Sequence, residues 1–147
     1  MNLDTKITPP IATLIILTII YFFEIKEYEL NTELISITLF SIGLFFIISV
    51  VIQFIRIKTT VNPTKPHKTT SLVVTGTFKI SRNPMYLGML LIIISYAFYE
   101  SSIISLILIP FFIFFINNFQ IEPKEFEMSR KFGKEYEDYC KKVDRWI

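Results

Sequence analysis

Two short stretches hold the residues best suited to binding. They are Ser81-Arg82-Asn83-Pro84-Met85-Tyr86-Leu87-Gly88 and Glu122-Pro123-Lys124-Glu125. In the first, Pro84 has the fixed φ favoured at a first helical position and Asn83 is a strong N-cap type. A helix starting there presents free N–H groups and a positive dipole end, an anion site with Arg82 beside it. The same residues also describe an ordinary capped helix with Tyr86 as an interfacial anchor, and local pattern does not choose between the two. In the second stretch the carboxylates of Glu122 and Glu125 suit a polar ligand group, or simply complement the helix dipole.

The rest of the chain is poor in reactive groups. One His (His67) and one Cys (Cys140) exclude an internal disulfide and any zinc site built from those types. Four Gly leave no G-x-G-x-x-G, so a dinucleotide-type phosphate loop is absent. His67 lies between lysines and reads as a solvated loop histidine.

Hydrophobic types make up 52% of the 147 residues and charged types 19%, and the apolar residues are clustered. Ile7–Phe23 carries no charge, Leu34–Ile55 is interrupted only by Gln53 and small residues, and Met85–Ile121 contains Glu100 alone. The last block is too long for one crossing of a bilayer, which takes roughly 20 residues, and divides at Tyr99-Glu100-Ser101-Ser102. The expected fold is therefore an all-α integral membrane protein with four transmembrane helices, about 7–24, 34–55, 84–99 and 103–121, and a C-terminal amphipathic cytoplasmic helix. Core helices of a soluble bundle would show a polar stripe; IATLIILTIIYFF and LILIPFFIFFI show none.

Charge fixes the expected orientation. Glu24, Glu27, Glu29 and Glu33 outnumber Lys26 in the first connection. The second carries Arg56, Lys58, Lys65, Lys68, Lys79 and Arg82, and the tail is rich in Lys and Arg. Both termini and the 56–83 loop are thus expected in the cytoplasm, with the first helix retained as a span. That loop is long for a plain connector. Leu72-Val73-Val74 suits a short extended piece, Gly76 a turn, and Phe78 something to pack against. After Pro123 the tail reads as one amphipathic helix through Phe126, Phe132, Tyr136, Tyr139, Val143 and Trp146.

The stretch TTVNPTKPHKTTSLVVTGTFKISRNPMYLGM, followed by E-x-x-E-F-E and then FGKEYEDYCKKVDRWI, resembles the isoprenylcysteine carboxyl methyltransferase family. That family belongs to a wider group of integral membrane methyltransferases that includes phospholipid methyltransferases. The resemblance covers about residues 59–147, and its two motifs are specific only together. It implies a single domain over 1–147 that binds S-adenosylmethionine at the cytoplasmic face through segments 59–86 and 120–147. By position the cofactor contacts would be Thr70, Ser71, Leu72, Val73, Phe78, Asn83, Pro84, Met85, Tyr86 and Glu125. Arg82 and Gln120 would serve the substrate. Asn83 stands where eukaryotic members have His. Lys124 replaces the first of two adjacent glutamates, and Gln120 replaces an Arg.

The implied reaction is methyl transfer to a lipidic acceptor drawn from the membrane, first of all a carboxylate of isoprenylcysteine type. Sulfonium and carboxylate lose charge as they react, so leaving water helps. Alignment of the two can supply about 7–11 kcal/mol of the barrier. Neither a metal nor a nucleophilic side chain is required, no residue is assigned a catalytic role, and no nucleic-acid partner is expected. A phospholipid amine is the alternative acceptor; it needs a base, for which Glu125, Glu122 and His67 are candidates. Two further readings are an NADPH-dependent membrane reductase of related fold, with Lys65, Lys68 and Arg82 facing a phosphate, and a non-catalytic relative.

Overall fold

The computed structural model describes residues 8–23, 32–57 and 72–147, and within them every regular element is helical. Helix α1 spans Pro9–Phe22, α2 Glu33–Ile57, α3 Pro84–Tyr99 and α4 Ser105–Ile116. A π-helical turn, Asn117–Ile121, joins α4 without a break to α5, Glu122–Phe132, and α6 covers Lys134–Cys140. The expected helical hairpin is present: α3 ends at Tyr99, and Ser101 adopts φ +50 in the turn before α4.

Two stretches are long and apolar enough to cross a membrane, Glu33–Arg56 and Ser105–Phe132. All charges of the second lie from Glu122 onward, so its apolar part ends at Ile121. Helices α1 and α3 are apolar but shorter, at 14 and 16 residues.

The core is assembled around α3. Ala12, Ile16 and Ile20, a four-residue repeat on α1, pack with Met89, Leu90, Ile93 and Ala97 of α3 and with Phe112 and Ile116 of α4. Helix α2 buries a narrow seam, Ser36, Gly43, Phe46 and Val50, and leaves Leu34, Ile37, Phe45 and Ile55 exposed. An apolar face of that extent is out of place in water and suits lipid. The α2–α3 pair is the most extensive helix contact, and its closest point is Gly43 against Gly88. A Cβ on either residue would lie 2.7 Å from the other's carbonyl oxygen. Small residues are what allow membrane helices to approach this closely. Ser95 Oγ donates to the Ser36 carbonyl at 2.7 Å and pins the far end of the same pair.

At the other end the 72–83 segment folds under α2. Val73 packs with Val50 and Phe78, while its neighbours Leu72 and Val74 face Met128, Tyr136 and Tyr139. That alternation is the expected extended piece, used as a wedge between a membrane helix and the tail. Gly76 opens a 3₁₀ turn, Gly76–Lys79, tied to α2 by Gln53 Nε2 donating to Thr77 Oγ1 at 3.1 Å.

The tail departs from expectation. It is two helices with a reversal at Gly133, whose φ of +50 an L side chain would resist, and residues 141–147 are not helical. A continuous helix would carry Tyr136 and Tyr139 away from Met128. The break folds them back onto it, and Tyr139 Oη donates to the Phe78 carbonyl at 2.6 Å. Phe126, expected on the apolar side of the amphipathic helix, is 62% exposed.

Candidate functional site

Helix α3 opens at Pro84 and α5 at Glu122, and the two openings lie side by side. Arg82 Nη1 is 3.4 Å from Glu125 Oε1, and Lys124 Nζ donates to Asn83 Oδ1 at 3.1 Å. The same ammonium stands 5.8 Å above the centre of the Tyr86 ring. Tyr86 is buried at 2% exposure, so it forms a wall of the site and is not an interfacial anchor. Asn83 holds the N-cap position with no side-chain cap bond. Its amide is turned to Lys124 on one side and, through Nδ2, to the Arg145 carbonyl at 3.1 Å on the other.

The final residues close the arrangement. Arg82 N–H donates to the Asp144 carbonyl at 2.9 Å, and Ser81 Oγ donates to the Arg145 carbonyl at 3.3 Å. The Arg145 guanidinium reaches Glu125 Oε2 at 2.7 Å and Glu122 Oε1 at 3.9 Å. Trp146 Nε1 donates to Asn117 Oδ1 in the π turn at 3.1 Å. Beyond Arg82, whose Nη1 also donates to Cys140 Sγ, a shallow depression of about 550 Å³ is lined by Glu125, Ser129, Tyr136, Cys140 and Lys141.

Two guanidinium groups thus share the Glu125 carboxylate, and the Lys124 ammonium is held nearby by the Asn83 amide. The Lys124 ammonium loses hydration on burial, which lowers its pKa from the usual lysine range to about 8; Glu125 opposes that shift and Arg82 adds to it. Two buried polar atoms here have no hydrogen-bond partner, the donor Arg82 Nε and the acceptor Glu125 Oε1. Such atoms are costly to leave unmatched, and a zwitterionic amino-acid group carries a complement to each.

Of the residues singled out from sequence, Arg82, Asn83, Tyr86 and Glu125 come together, with Pro84 buried beneath them. Val73 and Phe78 pack against Val50 of α2, with Met85 against them, and Leu72 packs on the tail helices. They form the wall behind the polar cluster. Gln120 is buried in the π turn, one turn before Lys124. Thr70, Ser71, His67, Lys65 and Lys68 lie outside the described residues. Sequence reasoning missed Arg145, counted only among the cations of the tail, and Trp146, taken only as part of an amphipathic face. The break at Gly133 was the available signal that the last residues need not follow that face.

The phospholipid methyltransferase family profile matches residues 31–135, and the chain belongs to that family. An uncharacterised protein of Haemophilus influenzae is 38% identical over 63 residues, which is 43% of this chain and the whole of that relative. No solved structure matches. The matched region contains both α3 and α5 openings; Arg145 lies beyond it.

Proposed function

We propose that this member of the phospholipid methyltransferase family uses S-adenosylmethionine to methylate a lipid-borne acceptor at the cytoplasmic leaflet. The carrying observation is the meeting of the 81–86 and 122–125 segments around unmatched buried polar atoms at the foot of the helices. In this reading the whole chain is one domain and α1, α2, α3 and the α4 segment to Ile121 are four spans. The termini and the 56–83 loop lie on the cytoplasmic side, where Lys and Arg concentrate. The shortness of α1 and α3 is compatible with spanning because flanking polar residues reach the interface and the bilayer thins locally.

Arg82 Nε suits the cofactor's carboxylate and Glu125 Oε1 its ammonium. Tyr86, Asn83, Pro84, Met85 and the wall of Leu72, Val73 and Phe78 would enclose the remainder, joined by Thr70 and Ser71 on the strength of the family resemblance alone. When bound, the cofactor supplies an electrophilic methyl group. The chain's part is to hold the acceptor in line and keep water out, and a site roofed by hydrocarbon does both. Arg82 and Gln120 would orient the acceptor's headgroup.

Two acceptors fit the lipid side of this reading. A carboxylate of isoprenylcysteine type needs no base, and resemblance of the 59–147 stretch supports it. An amine-headed phospholipid is supported by the family match, and it needs a proton acceptor. A reductase reading is weaker, because the family match is to methyltransferases.

The test is thermal unfolding of detergent-purified protein with S-adenosylmethionine, then labelled-methyl transfer over membrane lipid extract and prenylated cysteine analogues. At a hundred times Kd, stabilisation of about 2.7 kcal/mol is expected. Folded protein that shows no shift at millimolar cofactor overturns the reading, and a shift with NADPH alone replaces it with the reductase.

A further inference from the structure

We propose that Lys124 is the proton acceptor of the site, taking a proton from an ammonium-headed acceptor through Nζ. The inference rests on the methyltransferase reading above and names the residue that an amine acceptor would require. Geometry carries it. The Asn83 amide cannot be reversed, because its Nδ2 donates to the Arg145 carbonyl, which only accepts. Oδ1 is therefore the atom that faces Lys124, and it takes one N–H of the amine at 3.1 Å. A neutral amine held by one N–H keeps its lone pair free. When that lone pair takes a proton, the cation formed lies above the Tyr86 ring, whose face favours positive charge.

The other bases nearby are already engaged. Glu125 is bonded to Arg145 through Oε2 and assigned to the cofactor's ammonium through Oε1, and Glu122 faces Arg145. The charged and titratable groups around Lys124 are Glu125 on its own helix, Arg82 and Tyr86 from the start of α3, and Arg145 from the tail. Burial outweighs the carboxylate among these and lowers the Lys124 pKa to about 8, which favours the neutral amine. The step balances simply. An N–H bond of the acceptor ammonium breaks, its electron pair stays on that nitrogen, and an Nζ–H bond forms. The acceptor becomes a neutral amine with a lone pair, Lys124 becomes the cation, and the proton leaves to cytoplasmic water between turnovers.

Two measurements test it on the full chain in phosphatidylethanolamine bilayers. The first needs no activity: pH-dependent acylation of amines, read residue by residue by mass spectrometry without cofactor. Lys124 is expected to titrate near 8, below the ordinary lysine value. If Lys124 titrates at the ordinary lysine value, the inference fails. The second is methyl transfer to phosphatidylethanolamine. Wild-type rates should rise through about pH 8, and Lys124→Gln should lose about 100-fold with cofactor binding retained. Lys124→Arg keeps a cation above Tyr86 but cannot accept a proton, so it should be equally slow and serves if the Gln variant misfolds. Either variant at the wild-type rate overturns the inference. A wild type that binds cofactor and methylates only carboxylates overturns it too, yet leaves the methyltransferase reading standing. Absence of cofactor binding ends that reading and this inference together.

Discussion

The α2–α3 crossing and the polar cluster below it hold the same helix by opposite means. At Gly43 and Gly88 two backbones meet with no side chain between them, so fit is set by shape alone. At Arg82, Asn83 and Glu125 nearly every contact is a directed bond or an ion pair to the tail. Shape of the first kind tolerates no addition. The second kind tolerates exchange, since an incoming ligand can replace one partner with another of like charge. The rigid crossing fixes where α3 begins, and the cluster at that beginning is free to specialise.

The largest effect should come from Gly88→Val. A Cβ already meets the Gly43 carbonyl at 2.7 Å, and two further methyls must separate the helices. Destabilisation of about 3 kcal/mol or more is expected, read as loss of cooperative unfolding in detergent. A wild-type unfolding curve would mean that the crossing is looser than described.

Glu125→Ala comes next. It leaves Arg82 and Arg145 without their shared carboxylate; because these side chains keep 15–34% exposure, water recovers part of the loss. About 2 kcal/mol is expected, below the 3–5 kcal/mol of a fully buried pair. The distinguishing readout is cofactor-dependent stabilisation, which should vanish in Glu125→Ala and survive a milder crossing variant, Ser95→Ala, which removes only the bond to the Ser36 carbonyl.

Tyr139→Phe should cost about 1 kcal/mol by removing the bond to the Phe78 carbonyl. Burial also raises the Tyr139 phenol above its usual value, with the Arg82 charge opposing. A raised folded-state value gives stability that is fully present below the unfolded value of about 10 and is lost as pH rises toward the folded one. Alkaline unfolding should therefore begin near pH 10 and be less steep in Tyr139→Phe. The smallest effect belongs to Asp138→Asn. It removes an exposed pair with Lys141, and a change under about 0.5 kcal/mol is expected.

Helix positions were legible because apolar runs and Pro84 punctuate them, and the α3–α4 hairpin followed from one interrupted block. Asn83, Tyr86, Arg82 and Glu125 were legible as a group because they fall in the two short motifs that carry the family resemblance. The tail was not. Its aromatic spacing is helical throughout, and only the φ of Gly133 decides that Tyr136 and Tyr139 return to Met128. Lys124 read as a departure from a family pattern, because what matters about it is the Asn83 amide and the Tyr86 ring facing it. Those are neighbours across 41 and 38 positions, which no local spacing reveals.

Trp146 is the chain's single tryptophan, and its indole is anchored on Asn117 beside the residues that enclose the polar cluster. The molecule therefore carries its own optical reporter. Ultraviolet emission arises mostly from one place, so a wavelength or intensity change on adding a small molecule follows the seating of the last residues without any attached dye.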